Sequence, residues 1–237
     1  MRVWTEAGVE NAMKQISMKL MAGALLLAAP ASISAARPNG KLDEILANMQ
    51  KSAGQITSIQ ARMEQLKRDR NIGGVEKYNG EIFFKHVAKG NDKVKIVYSI
   101  PKGQTVWVVG ETITLYQAEI KQAIVTTRSA AASKGDEFAF IATPYTSVPD
   151  LKRQYDIVYA GDDQGLAKLD LTPKAKSSIQ KLLLWVDQSS WMPVKYTVIE
   201  TGGSATTFTL SGLRKNAGIP DSAFKVDLPK DTKILRR

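Results

Sequence analysis

The chain has 237 residues, a formal net charge of +10 and no cysteine. The lack of cysteine excludes disulfide bonds, thiolate metal sites and catalysis by a thiol. The basic residues are scattered, with their densest cluster at residues 67–70, and no segment interleaves them with aromatic side chains as a nucleic-acid groove does. We expect no nucleic-acid partner. Two interpretations of the charge stay open: a solvated surface, or attraction to anionic lipids or an acidic partner.

The first 36 residues have the pattern of a secretory signal peptide. Lys14 and Lys19 precede an apolar run at residues 20–29, and small residues follow at 31–36. A basic region, a short apolar core and a small-residue cleavage site direct export. We predict cleavage after Ala35 or Ala36, with Met13 as an alternative start, and a periplasmic monomer whose single domain spans residues 37–237. The alternative is an N-terminal anchor that stays attached.

A helix and a long series of strands follow. Residues 41–58 predict an amphipathic helix, with Leu42, Ile45, Leu46 and Met49 on one face and Gly54 as a stop signal. Apolar and polar residues then alternate in strand after strand, which indicates one antiparallel sheet that is apolar on one face. The predicted strands lie at residues 55–66, 75–86, 94–100, 106–109, 112–116, 121–127, 154–160, 166–171, 179–186, 191–200, 204–212 and 224–228.

The segment 128–151 interrupts this alternation. Residues 129–133 predict a flexible linker, residues 136–141 predict a short helix, and Pro144 and Pro149 interrupt it. A long insertion between strands is typical of a lid, and a sheet of about ten or eleven strands curls. We therefore predict a mainly β fold with some α: a single curled antiparallel sheet forming a half-open, incomplete β-barrel, with an N-terminal helix and a helical lid over an apolar cavity.

The sequence offers no constellation for a reaction. His86 is the one histidine and ends a predicted strand, so a Ser-His-Asp arrangement is not expected. Asp162 and Asp163 supply too few oxygens for calcium and fit a hairpin turn. Trp107, Trp185 and Trp191 lie within apolar strands, which favours core packing over a sugar-binding cleft. We expect no catalytic residue, no metal and no cofactor.

Four segments together resemble the periplasmic LolA family of lipoprotein carriers. They are Gly-Glu-Ile-Phe-Phe-Lys at 80–85, Gly-Glu-Thr-Ile-Thr-Leu-Tyr at 110–116 followed by Glu-Ile-Lys-Gln-Ala at 119–123, Leu-Thr-Pro-Lys at 171–174, and Phe-Lys-Val-Asp-Leu-Pro-Lys at 224–230. The resemblance extends from about residue 42 to residue 235. It implies a non-enzymatic carrier that receives lipoproteins from an inner-membrane ABC transporter, shields their acyl chains and delivers them to an outer-membrane acceptor.

The resemblance also raises one difference and two alternatives. Relatives often have an arginine that contacts the lid where this chain has Lys85 and His86, so these two residues are candidates for a modified lid latch. One alternative is a carrier of another envelope lipid or glycolipid. The other is an RseB-like sensor of lipoproteins; such sensors usually have a second C-terminal domain, and we expect none after residues 228–229.

The predicted cavity combines inward-facing strand positions with the lid, above the apolar stripe of the N-terminal helix. Ordinary core packing is the alternative interpretation at every position. The predicted lining is Ile59, Met63, Ile82, Phe84, Val94, Ile96, Tyr98, Ile113, Leu115, Val125, Leu169, Leu171, Leu182, Leu184, Tyr196, Val198 and Leu210, and the predicted lid residues are Phe138, Phe140, Ile141 and Leu151.

Overall fold

The computed structural model describes residues 38–87, 91–134, 137–141, 145 and 147–237. The predicted signal peptide lies outside these residues, as do Asp136 and Pro144 of the predicted lid. Residues Ala36–Arg237 form one compact unit. Within the described part of the chain, no helix combines the length and apolar character required to cross a membrane.

The first element is helix α1, Pro38–Ala53. Its apolar stripe faces the protein interior: Ile45, Leu46 and Met49 are buried and Leu42 is partly buried. The helix ends before the predicted residue 58, because Gly54 closes its last turn by donating its N–H to the Gln50 carbonyl oxygen at 3.1 Å. Ile56 and Thr57, which follow Gln55, are β-branched and favour the extended chain that comes next.

Twelve strands form a single sheet that does not close into a barrel. Their order across the sheet is β12-β6-β5-β4-β3-β2-β1-β11-β10-β9-β8-β7, so two meanders meet where β1 pairs with β11. The mainly β fold with one open sheet and an N-terminal helix is confirmed. The strands are β1 Ser58–Arg68, β2 Val75–Lys85, β3 Lys93–Ile100, β4 Gln104–Val109, β5 Thr112–Gln117, β6 Gln122–Thr127, β7 Tyr155–Asp163, β8 Leu166–Pro173, β9 Ile179–Asp187, β10 Met192–Glu200, β11 Ala205–Lys215 and β12 Lys233–Arg236.

The C-terminal strand differs from the prediction in position and direction. Residues 224–228 are not a strand; Asp221–Phe224 form a 3₁₀ turn in which Phe224 is buried. Phe224 and Val226 alternate with polar residues, but only Phe224 is buried, because Val226 is exposed. The segment therefore has no apolar face that could pack in a sheet. The last strand is β12, which pairs with β6 in parallel, so the sheet is not entirely antiparallel.

Segment 128–154 contains two short helices, at positions where a flexible linker and an interruption by proline were predicted. Residues 129–133 belong to helix α2, Arg128–Ser133, whose N-cap Thr127 accepts the Ala130 N–H at 3.1 Å. Consecutive alanines and a threonine cap favour a helix over a flexible linker. Helix α3, Val148–Gln154, begins where a break was predicted, because Pro149 lies in its first turn, where proline is tolerated. A 3₁₀ turn at Glu137–Phe140 lies between them.

Gly80 is required where β2 crosses an irregularity in its pairing with β3. A Cβ atom at Gly80 would overlap the carbonyl oxygen of Val97 in the neighbouring backbone. We expect Gly80→Ala to lower the free energy of unfolding by about 1–3 kcal/mol through overpacking. Gly202→Ala is the matched control, since a Cβ atom there meets nothing within 4 Å. Urea unfolding of both variants checks this, and equal midpoints would contradict it.

Candidate functional site

The inner face of the sheet is defined as the face that α1 and the described residues of segment 128–154 cover, and it carries one apolar core. We call segment 128–154 the cover. Most predicted lining residues are buried in this core, and Leu115 is partly buried against it. The buried ones are Ile59, Met63, Ile82, Phe84, Val94, Ile96, Tyr98, Ile113, Leu169, Leu171, Leu182, Leu184, Tyr196, Val198 and Leu210.

Val125 is a correction, because it lies on the outer face. It pairs with Thr114, which pairs with Trp107 on the outer side of β4. Ile124 and Thr126 take the inner positions of β6, opposite Leu115 and Ile113. Residues 123–125 are all apolar, so the sequence did not show which of them face the interior.

Two small cavities remain between the sheet and the elements that cover it. Cavity 1 has a volume of about 150 Å³ and lies where β1 begins and β2 ends. Of the predicted lining only Ile59 and Phe84 border it. Among the described residues, its lining is Met49, Gln50, Ala53, Gly54, Ile56, Ile59, Phe84, His86, Tyr145, Ser147, Val148, Trp191, Met192 and Pro193.

Cavity 2 has a volume of about 160 Å³ and lies beneath α2. Ile113 and Leu115 of the predicted lining border it, together with Phe138 of the predicted lid. The other described residues that line it are Ile124, Thr126, Ala131, Lys134 and Arg237. Both cavities are therefore mainly apolar, and each has one wall made by the cover.

The cover is packed onto the core by apolar side chains. Of the predicted lid residues, Ile141 and Leu151 are buried, and Phe138 and Phe140 are partly buried against the core. Tyr145 contacts Phe84 with ring centroids 5.3 Å apart, and burial raises the pKa of its phenol. Polar contacts also join the cover to α1: the Val148 N–H donates to Gln50 Oε1 at 2.9 Å, and Lys152 Nζ lies 4.0 Å from Asp43 Oδ1.

Trp191 was predicted to lie within a strand, but it lines cavity 1. It lies in the turn between β9 and β10 with φ of +54°, a conformation that is costly for a bulky residue. Asp187 fixes this turn by accepting hydrogen bonds from the Ser189 and Ser190 hydroxyls, which lower the pKa of its carboxyl group. The turn thereby holds the indole against cavity 1.

Trp107 and Trp185 are buried as predicted, but on the outer face and outside the apolar core of the inner face. Lys195 Nζ lies 4.4 Å and Lys168 Nζ 5.4 Å from the centroid of the Trp185 ring. Lys95 Nζ lies 5.7 Å from the centroid of the Trp107 ring. Lysine side chains thus shield these indoles from solvent by cation–π contacts and by their aliphatic stems.

A lid latch requires contacts with the cover, and the polar contacts of Lys85 and His86 are made elsewhere. Lys85 Nζ donates to the Ile219 carbonyl oxygen at 3.0 Å and pairs with Asp221 at 3.0 Å. Lys93 also pairs with Asp221, and these two lysines lower the pKa of the Asp221 carboxyl group. Lys85 therefore holds the C-terminal segment instead of the cover. His86 Nδ1 lies 2.8 Å from Asp92 Oδ1, and the ring borders cavity 1.

Arg128 places a positive charge at the base of the cover. Its Nε and Nη2 atoms are buried and have no hydrogen-bond partner among the described residues. Burial lowers the pKa of the guanidinium, and the nearby charges of Glu111 and Asp92 oppose this shift. Elsewhere in the described residues, no three His, Asp or Glu side chains cluster closely enough to hold a metal ion.

Comparison with known proteins identifies relatives of this fold. A family model described as outer membrane lipoprotein carrier protein LolA matches residues 54–227. The outer-membrane lipoprotein carrier protein of Pseudomonas entomophila is 23% identical over 228 residues, which cover 94% of this chain and 100% of the relative. That of Cupriavidus pinatubonensis is 23% identical over 199 residues, which cover 76% of this chain and 90% of the relative.

A solved structure shares the architecture. An uncharacterised conserved protein from Thermus thermophilus matches with a TM-score of 0.51 and 13% identity, over 83% of this chain and 99% of that protein. At this identity the likeness concerns the fold alone. The family model, in contrast, covers well over half of the sequence, and the chain therefore belongs to the LolA family of outer membrane lipoprotein carrier proteins.

Proposed function

We propose that this protein binds lipoprotein acyl chains between the inner face of its sheet and the cover, and carries them through the periplasm from the inner to the outer membrane. The observation that carries the proposal is the pair of apolar cavities that the cover closes. An inner-membrane ABC transporter would load the carrier and an outer-membrane acceptor would unload it. The exported form would be a monomer with one domain at residues 37–237.

The size of the cavities supports a cover that moves. A cavity of roughly 150 Å³ accepts a ligand of about the size of benzene, which is much smaller than a lipoprotein's acyl chains. The apolar side chains of the inner face are available to a chain only when the cover separates from them. Each methylene group that then leaves water contributes about 0.8 kcal/mol, so a long chain can offset the loss of the contacts between cover and core.

Two features limit the stability of the closed form. The Nε and Nη2 atoms of Arg128 are buried without a hydrogen-bond partner among the described residues, and such burial is unfavourable. Trp191 is held with φ of +54° beside cavity 1. A closed form that is only moderately stable suits a carrier, because acyl chains have to enter and leave reversibly.

The test is native mass spectrometry of the protein isolated gently from the periplasm, with the bound material extracted and identified. We expect acylated lipoprotein or its acylated N-terminal peptide. A phospholipid or glycolipid in its place would contradict lipoprotein as the cargo and favour a carrier of another envelope lipid. An empty protein that also fails to take up a fluorescent acyl probe would contradict the carrier function and favour a sensory role.

A further inference from the structure

Four strongly exposed aliphatic side chains lie at one end of the sheet. The turns that follow β1, β3 and β5, at residues 69–74, 101–103 and 118–121, all lie at this end, which we call the turn end. Ile72 is 85% exposed, Val75 52%, Ile100 55% and Ile120 62%. Cavity 1 borders the opposite ends of β1 and β2, so these side chains are separate from the cargo site.

The turns do not need these isoleucines for their own structure. Gly73, Gly74 and Gly103 supply the positive φ values that the chain reversals require. The turns are also held in place by their neighbours. Ala118 donates its N–H to the Gly103 carbonyl oxygen at 2.8 Å, and the Arg70 N–H donates to Ser204 Oγ at 3.3 Å. These well-held turns therefore expose apolar side chains to water. Turn positions are usually occupied by polar residues or glycine, so this exposure is unusual.

Positive charge surrounds these apolar side chains. The three turns, the last residue of β1 and the adjoining C-terminal segment carry Arg68, Arg70, Lys102, Lys121, Lys230 and Lys233, against the acids Asp69, Glu119 and Asp231. Asp69 Oδ1 accepts the Asn71 N–H at 2.7 Å, and Asp231 pairs with Lys121 at 2.7 Å, which cancels one charge of each sign. The remaining bases still outnumber the remaining acids, so the turn end is positively charged.

The spacing of the isoleucines favours a lipid surface as the partner. Neighbouring strands are about 4.8 Å apart, so successive turns lie about 10 Å apart across the sheet. The β1–β2 turn also extends about 13 Å further along the strands than the β3–β4 turn, because Ile100 pairs with Asn79 and not with Val75. A protein partner would require a contiguous apolar centre, which separated isoleucines with cations between them do not form. A bilayer accepts separate apolar side chains below its headgroups while lysine and arginine bind anionic lipids. We propose that the turn end docks the protein on anionic phospholipid bilayers.

Vesicle co-sedimentation of the purified protein tests this proposal. The probes are vesicles of phosphatidylethanolamine with phosphatidylglycerol, and neutral vesicles of phosphatidylcholine. We expect binding to the anionic vesicles that weakens as salt increases, and an affinity about tenfold lower for the Ile72→Ser/Ile120→Ser variant. Lys102→Ser/Lys230→Ser should weaken the binding as well. Circular dichroism verifies that each variant is folded.

Matched controls lie outside the turn end. Val158→Ser removes a side chain that is 60% exposed on β7, and Lys51→Ser/Lys225→Ser removes two exposed cations. All control variants should bind as the parent does. Equal losses in the controls, equal binding to neutral vesicles, or unchanged binding of Ile72→Ser/Ile120→Ser would each overturn the proposal. Acyl-probe uptake, measured in parallel, should be unchanged in every variant, which keeps this result separate from the carrier function.

Discussion

Linking α1 to α3 should abolish acyl-probe uptake, and releasing the link should restore it. Asp43 on α1 and Lys152 on α3 are exposed, and their charged atoms lie 4.0 Å apart. Replacing both by cysteine costs little, because an exposed ion pair contributes about 0–1 kcal/mol. The chain has no other cysteine, so a cleavable bis-maleimide would join only these two positions. The measurement is fluorescence of an acyl probe before and after cleavage of the linker.

The expected loss follows from the geometry of the interior. Cavity 1 has the cover residues Tyr145, Ser147 and Val148 in its wall, and a link that keeps α3 on α1 prevents this wall from moving. The matched control is the pair Glu64 and Lys77, which forms an ion pair between β1 and β2. A link there stays within the sheet and should leave uptake unchanged. Uptake at the normal rate by the α1–α3 linked protein would show that cargo enters without movement of this part of the cover.

The sheet could be predicted from the sequence because its signal is repeated in every strand. Along β3, Val94, Ile96 and Tyr98 alternate with polar and exposed positions, and all three are buried. The predicted face of a side chain was wrong where the local pattern allowed either face of the strand. Val125 follows two apolar residues, so either face of β6 was compatible with the sequence.

The cover was predicted as a segment but not in its details. Alanines at 130–132 were interpreted as flexible, although their helix propensity and the Thr127 cap determine α2. Trp191 lies in the cavity wall because its backbone adopts a positive φ that bulky residues rarely adopt. No sequence pattern predicts that conformation. Core and lining residues are chemically alike, and the structure distinguishes them only by which side chains border a void.

Two phenylalanines provide a direct test of that distinction between core and cavity wall. Phe208 is fully buried and stacks on Tyr196 with ring centroids 4.8 Å apart. Phe208→Ala should lower the free energy of unfolding by about 3–5 kcal/mol. Phe84 is 3% exposed but already borders cavity 1 and contacts the cover through Tyr145. Phe84→Ala should therefore cost less stability, because fewer packed neighbours lose contacts.

The effects on uptake should have the reverse order. Contacts between aromatic rings contribute about 0.5–1.5 kcal/mol, so removing the Phe84–Tyr145 contact should ease opening of the cover and speed acyl-probe uptake about two- to tenfold. Phe208 is not among the lining residues of either cavity, so its variant should take up the probe at the parent rate below its unfolding temperature. Phe208→Leu serves if the alanine variant does not fold. Stopped-flow fluorescence and urea unfolding provide the two measurements. Equal uptake rates in the two variants would mean that the Phe84 contact does not hold the cover closed, and that Phe84 is an ordinary core residue.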